Sequence, residues 1–299
     1  MSKQEKTGII FVLVSAALWG IFPVLINRGT QTIPPITFAA ITTLLAALGC
    51  FLYALFRGKL GELRNNKTYF YLLMITLCIV IIPYVLFYVG ASKTTGLNST
   101  MLLLSELIFT LIFTHFIGEK TTSTKLFGGL GIFFGALLIL FNGQLKFNIG
   151  DLLIIASTSV EPIGNLYAKK ALNLISPATI LFVRFLFGGL FILLLSLLFE
   201  PQANFVMLIS NNWFIILFTG LILLGISKIL CYEALKRLDI SKMISLLMTF
   251  PLFSLVVLIS IYKEIPSVYQ WLGIALMAVG VYFSIRRNST DPLLTSYAP

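Results

Sequence analysis

Apolar residues fall into ten long runs in this 299-residue chain, without the short alternation of a half-buried strand. The runs extend from about Ile9 to Asn27, Ile36 to Phe56, Phe70 to Val89, Leu97 to Ile117, Leu126 to Phe141, Leu152 to Ala168, Ala178 to Phe199, Trp213 to Tyr232, Met243 to Tyr262 and Val268 to Ile285. Each suffices, or nearly so, to cross roughly 30 Å of hydrocarbon at about 1.5 Å of helical rise per residue. Between them stand breakers such as Pro34-Pro35, Asn65-Asn66, Asn142-Gly143, Ser176-Pro177, Asn211-Asn212 and Pro266. Backbone groups in lipid must pair within their own segment, so these runs predict spanning helices rather than barrel strands.

Composition makes the solvent explicit. Hydrophobic residues make up 58% and charged residues 11%, under half the roughly 25% charge of a soluble domain. So few charges cannot cover a water-facing surface, and lipid must do so. The net charge of +10 does not point to nucleic acid, because the bases come in small groups between apolar runs and form no basic face. Cys50, Cys78 and Cys231 each lie inside an apolar run and read as small hydrophobes. The start, MSKQEK followed by an apolar run, lacks a small-residue cleavage site, so that run reads as the first span.

Charge also sets direction. Of the 21 Lys and Arg, Arg184 and Lys228 lie inside spans; Arg28, Lys93, Lys146 and Lys263 fall on one side, and the remaining fifteen share the side of the N-terminal tail. That bias predicts a multi-pass plasma-membrane protein, of prokaryotic inner-membrane character, with both termini cytoplasmic.

The second half repeats the first. At an offset of 142 Pro35 meets Pro177 and Thr42 meets Arg184; at 145 Glu119 meets Glu264, Gly128 meets Gly273 and Gly135 meets Gly280. Between them Gly90 to Lys93 meets Glu233 to Lys236. The expected fold is an all-α integral membrane protein of ten transmembrane helices, arranged as two inverted five-helix repeats. Its parts are a tail over 1–8, repeats over 9–142 and 150–287, and a tail over 288–299. An odd helix count inverts the second copy, which suits alternating access to a midplane site.

With these residues in place, the chain resembles the drug/metabolite transporter superfamily in its ten-helix EamA-type branch, over roughly residues 8 to 287. The resemblance rests on Ala17-Leu18-Trp19-Gly20, Pro35, Ala91 to Thr94, Gly118-Glu119-Lys120, Gly150-Asp151-Leu152-Leu153, Ser176-Pro177 with Arg184, Glu233 to Lys236, Phe250-Pro251-Leu252-Phe253 and Glu264 before Gly273. It implies secondary transport of metabolites such as amino acids through a central cavity shared by both repeats. The chain departs from the family pattern at Glu106, where a proline matching Pro251 is common, at Thr42 in place of arginine, and at Glu161 opposite Trp19.

A charge at the bilayer centre costs about 2.5 to 3.5 kcal/mol on insertion scales, so intramembrane charges are functional candidates. Glu106 shares a predicted helix face with Ser99, Thr110 and Thr114; Glu161 has Ser157 and Asn165 one turn either side. Lys228 is read either as their ion-pair partner or as the receptor of a substrate carboxylate. Trp19, Tyr84 and Tyr88 form a candidate aromatic wall, and Pro23, Pro83, Pro162 and Pro251 free carbonyls for binding or bending. Arg184 is placed within snorkelling reach of headgroups, Glu233 as a surface pair with Lys236 and Arg237, and His115 as a packing residue.

The site residues expected to bind substrate or couple transport are therefore Glu106, Glu161, Lys228, Trp19, Tyr84, Tyr88, Ser99, Thr110, Asn165 and Pro251. The function read from them is secondary transport of a small amphipathic or zwitterionic metabolite, an amino acid or relative, by exchange or on a proton gradient. The alternatives are export of organic cations or a non-transporting scaffold. The absence of GxxxxGK[ST], HExxH and GxSxG patterns argues against a built-in ATPase or an enzyme, and no cofactor or metal is expected.

Overall fold

A computed structural model of the chain describes residues 3–116, 123–141, 148–235 and 249–285, together with Arg237, Leu246 and Leu247. Among these residues all regular secondary structure is helical. Glu119, the Gly118-Glu119-Lys120 motif, Asn142-Gly143, Lys236 and the 288–299 tail lie outside the described residues, as do the side chains of Thr114 and His115.

The first half comprises α1 (Lys3–Gly29), α2 (Pro35–Phe56), α3 (Tyr69–Ile75), α4 (Ile82–Ala91), α5 (Gly96–Met101), α6 (Glu106–Phe116) and α7 (Ser123–Phe141). The second comprises α8 (Ile149–Ser159), α9 (Glu161–Leu172), α10 (Pro177–Phe199), α11 (Phe205–Leu217), α12 (Ser227–Leu235), α13 (Phe250–Ser260) and α14 (Val268–Ile285). Five stretches among the described residues are long and apolar enough to cross a membrane: Gln4–Gly29, Pro35–Phe56, Asn66–Ala91, Pro177–Phe199 and Phe205–Ala234. Shorter apolar helices run over Phe127–Ile139, Phe250–Ser260 and Val268–Phe283, and several spans change winding or break partway.

Those changes have local causes. A π-helical turn, Thr76–Ile81, joins α3 to α4 and ends at Ile82-Pro83. Proline brings no amide hydrogen and crowds the preceding turn, which the wider winding accommodates. A second π-helical stretch, Phe218–Ile226, joins α11 to α12 at the matching place in the other half. A 3₁₀ turn, Leu102–Ser105, joins α5 to α6, and Pro162 starts α9 afresh after Val160.

Helix packing repeats the duplication seen in the sequence. α2 packs along its own counterpart α10, and α7 along its counterpart α14. The π turn of each half packs on the second long helix of the other. Both self-pairings run antiparallel. Thr37 bonds Ser196 at one end of α2, Leu44 meets Gly189 midway, and Phe51 meets Phe182 near the other end. In α7 and α14, Gly131 faces Gly280 while Phe141 lies against Tyr269, ring centroids 5.3 Å apart. Equivalent helices that run antiparallel are the signature of inverted repeats.

Glycine permits the α7 crossing: a Cβ on Gly280 would sit 2.6 Å from the Gly128 carbonyl oxygen, and one on Gly273 2.7 Å from that of Gly135. Capping secures α2 and α10. Their own cap residues, Pro34 and Ser176, give no side-chain cap. Glu200 instead accepts from the Ile36 and Thr37 amides (3.1 and 2.7 Å) and the Thr37 hydroxyl. Glu62 accepts from the Ser176 amide and the Thr179 hydroxyl, each at 2.7 Å. Negative charge at a helix N-terminus satisfies free amides and complements the helix dipole. For Glu62, burial raises the pKa, but these bonds and Lys59 outweigh it and hold the carboxyl below its ordinary 4.5.

Candidate functional site

The breaks in the spans carry the charges. Glu106 is the first residue of α6, directly after the 3₁₀ turn, and Glu161 the first of α9, directly before Pro162. Lys228 is the second residue of α12, directly after a π turn, and Tyr84 lies in the first turn of α4 after the other. Local departures from α-helix redirect side chains and are common at functional sites.

Glu106, Glu161, Lys228 and Trp19 remain half-buried although each lies within the interior of its span. The Asn165 amide donates to Glu106 Oε1 at 3.2 Å. Lys228 places its Nζ 3.3 Å from the centroid of the Trp19 ring. Among the described residues neither acid forms an ion pair with Lys228. The three charges nevertheless lie within each other's electrostatic range, and Arg184 acts on Glu161 and Lys228 in the same way.

The aromatic wall includes a residue that the sequence pattern did not single out. Phe22 stacks on Trp19, centroids 4.7 Å and planes 7° apart, and stands 6.4 Å from Tyr84 and 6.2 Å from Tyr88. Its position one turn after Trp19 was the available signal, masked by the abundance of phenylalanine. Tyr88 is fully buried and its hydroxyl meets Thr42 Oγ1 at 2.8 Å. Tyr84 is 7% exposed.

Other expected residues take different places. Thr110 follows Glu106 by one α-helical turn and keeps its face. Ser99 precedes the 3₁₀ turn, whose tighter winding rotates four residues by roughly 80° more than an α-helix. It is fully buried, with its hydroxyl bonded to the Thr95 carbonyl at 2.8 Å. Pro251 is buried in the first turn of α13, where its missing amide costs no hydrogen bond. Pro23, by contrast, lies inside α1.

Arg184 departs from the sequence expectation. It is 3% exposed, its Nε has no hydrogen-bond partner, and its guanidinium carbon lies 4.7 Å from the Phe185 ring. A headgroup-seeking side chain would be exposed at its tip. Glu233 does form the expected pair with Arg237, at 2.7 Å, and also accepts from the Tyr53 hydroxyl at 2.6 Å.

At the end of the bundle that carries Arg28, polar cross-links tie several helices together. Glu264 receives Arg28 at 3.2 Å and the Leu97 amide at 3.0 Å; Lys263 before it takes a left-handed φ of 56°. Asp151 receives Thr94 and the Asn98 amide, and Gln270 donates to Asn98 at 3.1 Å. Asn27 donates to the Ala91 and Thr94 carbonyls at 2.7 and 2.8 Å. A cavity of about 560 Å³ near this end is lined by Thr32, Pro34, Asn204 and Asn211 and includes none of Glu106, Glu161, Arg184 and Lys228.

The EamA-like transporter family model matches residues 6–141 and again 148–286, one match to each half. The chain belongs to the EamA-like transporter family. An uncharacterised transporter of Bacillus subtilis (strain 168), YoaV, is 24% identical over 93% of this chain and 95% of its own length. An uncharacterised transporter of Methanothermobacter thermautotrophicus is 24% identical over 92% of this chain and 85% of its own length. A protein of known crystal structure superposes with a TM-score of 0.69 at 17% identity, covering 93% of this chain and 96% of the other, a likeness of fold. The EamA assignment identifies the chain as a membrane transporter and matches the resemblance carried by its motifs.

Proposed function

We propose that this EamA-family protein is a secondary transporter of a small zwitterionic or amphipathic metabolite, an amino acid or relative, working by alternating access. The observation that carries the reading is that the charges inside its spans do not pair with one another. Glu106 rests on Asn165, Lys228 on Trp19 and Arg184 beside Phe185, with no ion pair closing the set among the described residues. Charges that merely held helices together would be paired, because an unpaired buried charge costs several kcal/mol. Held apart, they leave both signs available to a solute with an amine and a carboxylate.

In this reading residues 9–142 and 150–287 rock against each other, and the Arg28-end cross-links are the closed barrier. Both termini face the cytoplasm, and the drive is exchange or protons. Export of organic cations is the second reading, favoured by the Trp19–Phe22 stack beside two acids.

The test is counterflow in liposomes holding the full chain, with amino acids, their amides and simple amines. Amino-acid counterflow is expected, and flux falls at least about tenfold in Glu106→Gln, as for loss of a buried charge partner. Absence of flux for every solute overturns the reading. Flux of amines alone favours the cation exporter.

A further inference from the structure

We infer that Arg184 is the receptor for the carboxylate of the transported solute. This assignment rests on the transport reading above and goes beyond it by naming the group and the ligand chemistry.

An arginine stays protonated at any physiological pH, so α10 carries a permanent cation at this position. Only 3% of its surface is exposed, its Nε lacks any partner, and among the described residues no hydrogen bond or ion pair reaches its guanidinium. The face of the neighbouring Phe185 ring is its one close compensating contact given by the structure. One aromatic face replaces little of the hydration that such a group loses on burial. Among the described residues no direct partner answers the charge.

The duplication shows that the fold does not require it. The equivalent of Arg184 in the first half is Thr42, seven residues after Pro35 as Arg184 is seven after Pro177. Thr42 donates to the Phe38 carbonyl at 2.7 Å and accepts from the Tyr88 hydroxyl at 2.8 Å, which satisfies it without a charge. The same antiparallel helix pair thus packs around a neutral residue on one side and a cation on the other.

Ligand chemistry follows from the neighbours. Arg184 lies within electrostatic range of Glu161, Tyr84, Tyr232 and Lys228, and Glu161 and Lys228 lie within range of Glu106. Its planar fork matches a carboxylate bidentately. Lys228 is the poorer receptor, because its ammonium is a point charge without that planar fork. Two acids in the space repel a doubly charged phosphate and favour a ligand that brings its own ammonium group.

The experiment is a thermal-shift titration of the full-length purified chain with the proteinogenic amino acids, their primary amides and the corresponding decarboxylated amines. The wild type is expected to bind an amino acid at least about tenfold tighter than its amide. Arg184→Gln weakens the acid about thirtyfold, as expected for truncation of one partner of a buried charge pair, and leaves the amide within about twofold. Arg184→Lys keeps the charge without the fork and falls between the two. Melting of each variant without ligand reports its fold. Equal affinity of the wild type for acids and amides overturns the assignment without recourse to any variant. Acid-over-amide preference that persists in both variants also overturns it, while leaving transport of amino acids standing. Failure of the wild type to bind any compound overturns both readings.

Discussion

In the first half α1 runs unbroken from Lys3 to Gly29 past Trp19, whereas the matching stretch of the second half stops at Ser159 and restarts at Glu161, next to Pro162. At four other places among the described residues the halves agree: both have a π turn in the third span, a proline at the start of the second, a glutamate capping that start, and glycines at the crossing of the fifth. The agreements all concern how helices begin, bend or approach one another. The disagreements concern charge. In the repeat alignment Glu106 is equivalent to Pro251, Glu161 to Trp19, Arg184 to Thr42 and, at the Gly90–Glu233 offset, Lys228 to Val85. Symmetric positions build the frame, and asymmetric ones supply the chemistry.

Copying the second half onto the first is the severest test of that division. Thr42→Arg would bury a second guanidinium against Tyr88 and is expected to cost about 3 to 5 kcal/mol, read as lost folded yield in detergent. A tolerated arginine there would mean that the bundle accepts this charge at either position. A smaller effect is expected from striking the shared frame. In Gly280→Leu the added side chain meets the Gly128 carbonyl and Ile132, separating α7 from α14 at a cost of about 1 to 3 kcal/mol, measured by melting temperature. An unchanged melting temperature would remove close approach as the reason for those glycines.

The smallest effect concerns the caps. The carboxyl of Glu62 sits below its ordinary 4.5 because hydrogen bonds from Ser176 and Thr179 outweigh the opposing effect of burial. A depressed folded-state pKa means that this cap contributes at neutral pH and is lost as pH falls below about 4.5 through the folded-state value. Glu62→Gln should therefore lower stability slightly at pH 7 and flatten the acid limb of a melting-temperature profile. An identical acid limb in wild type and variant would show that this cap does not report on pH.

Much of this arrangement was readable in the chain itself. The spans followed from apolar run length, the duplication from prolines and glycines at fixed offsets, and Glu106 and Glu161 from the cost of a carboxyl in hydrocarbon. Ser99 was aligned with Glu106 on the assumption of uniform α-helix, and the 3₁₀ turn at Leu102–Ser105 removes it from that face. Winding of this kind depends on neighbouring helices, so counting residues could not reveal it. Arg184 was harder still. Its burial arises where α10 lies along α2, a contact between segments more than a hundred residues apart, and nothing local to Arg184 distinguishes it from a headgroup-seeking arginine. Phe22 acquires its role only once α1 is set beside α4.

The two capping glutamates have a mechanical consequence. Glu200 at the end of α10 holds the start of α2, while Glu62 just beyond the end of α2 holds the start of α10. The antiparallel pair is therefore clamped reciprocally, like two rods each tied at the head to the other's foot. Sliding one rod along the other by a single residue would strain both ties together, and tilting one across the other would open both, because the pair is tied at each end. The pair thus moves as one body: it resists shear and splaying alike, and displacement between the halves falls to the helices packed around it.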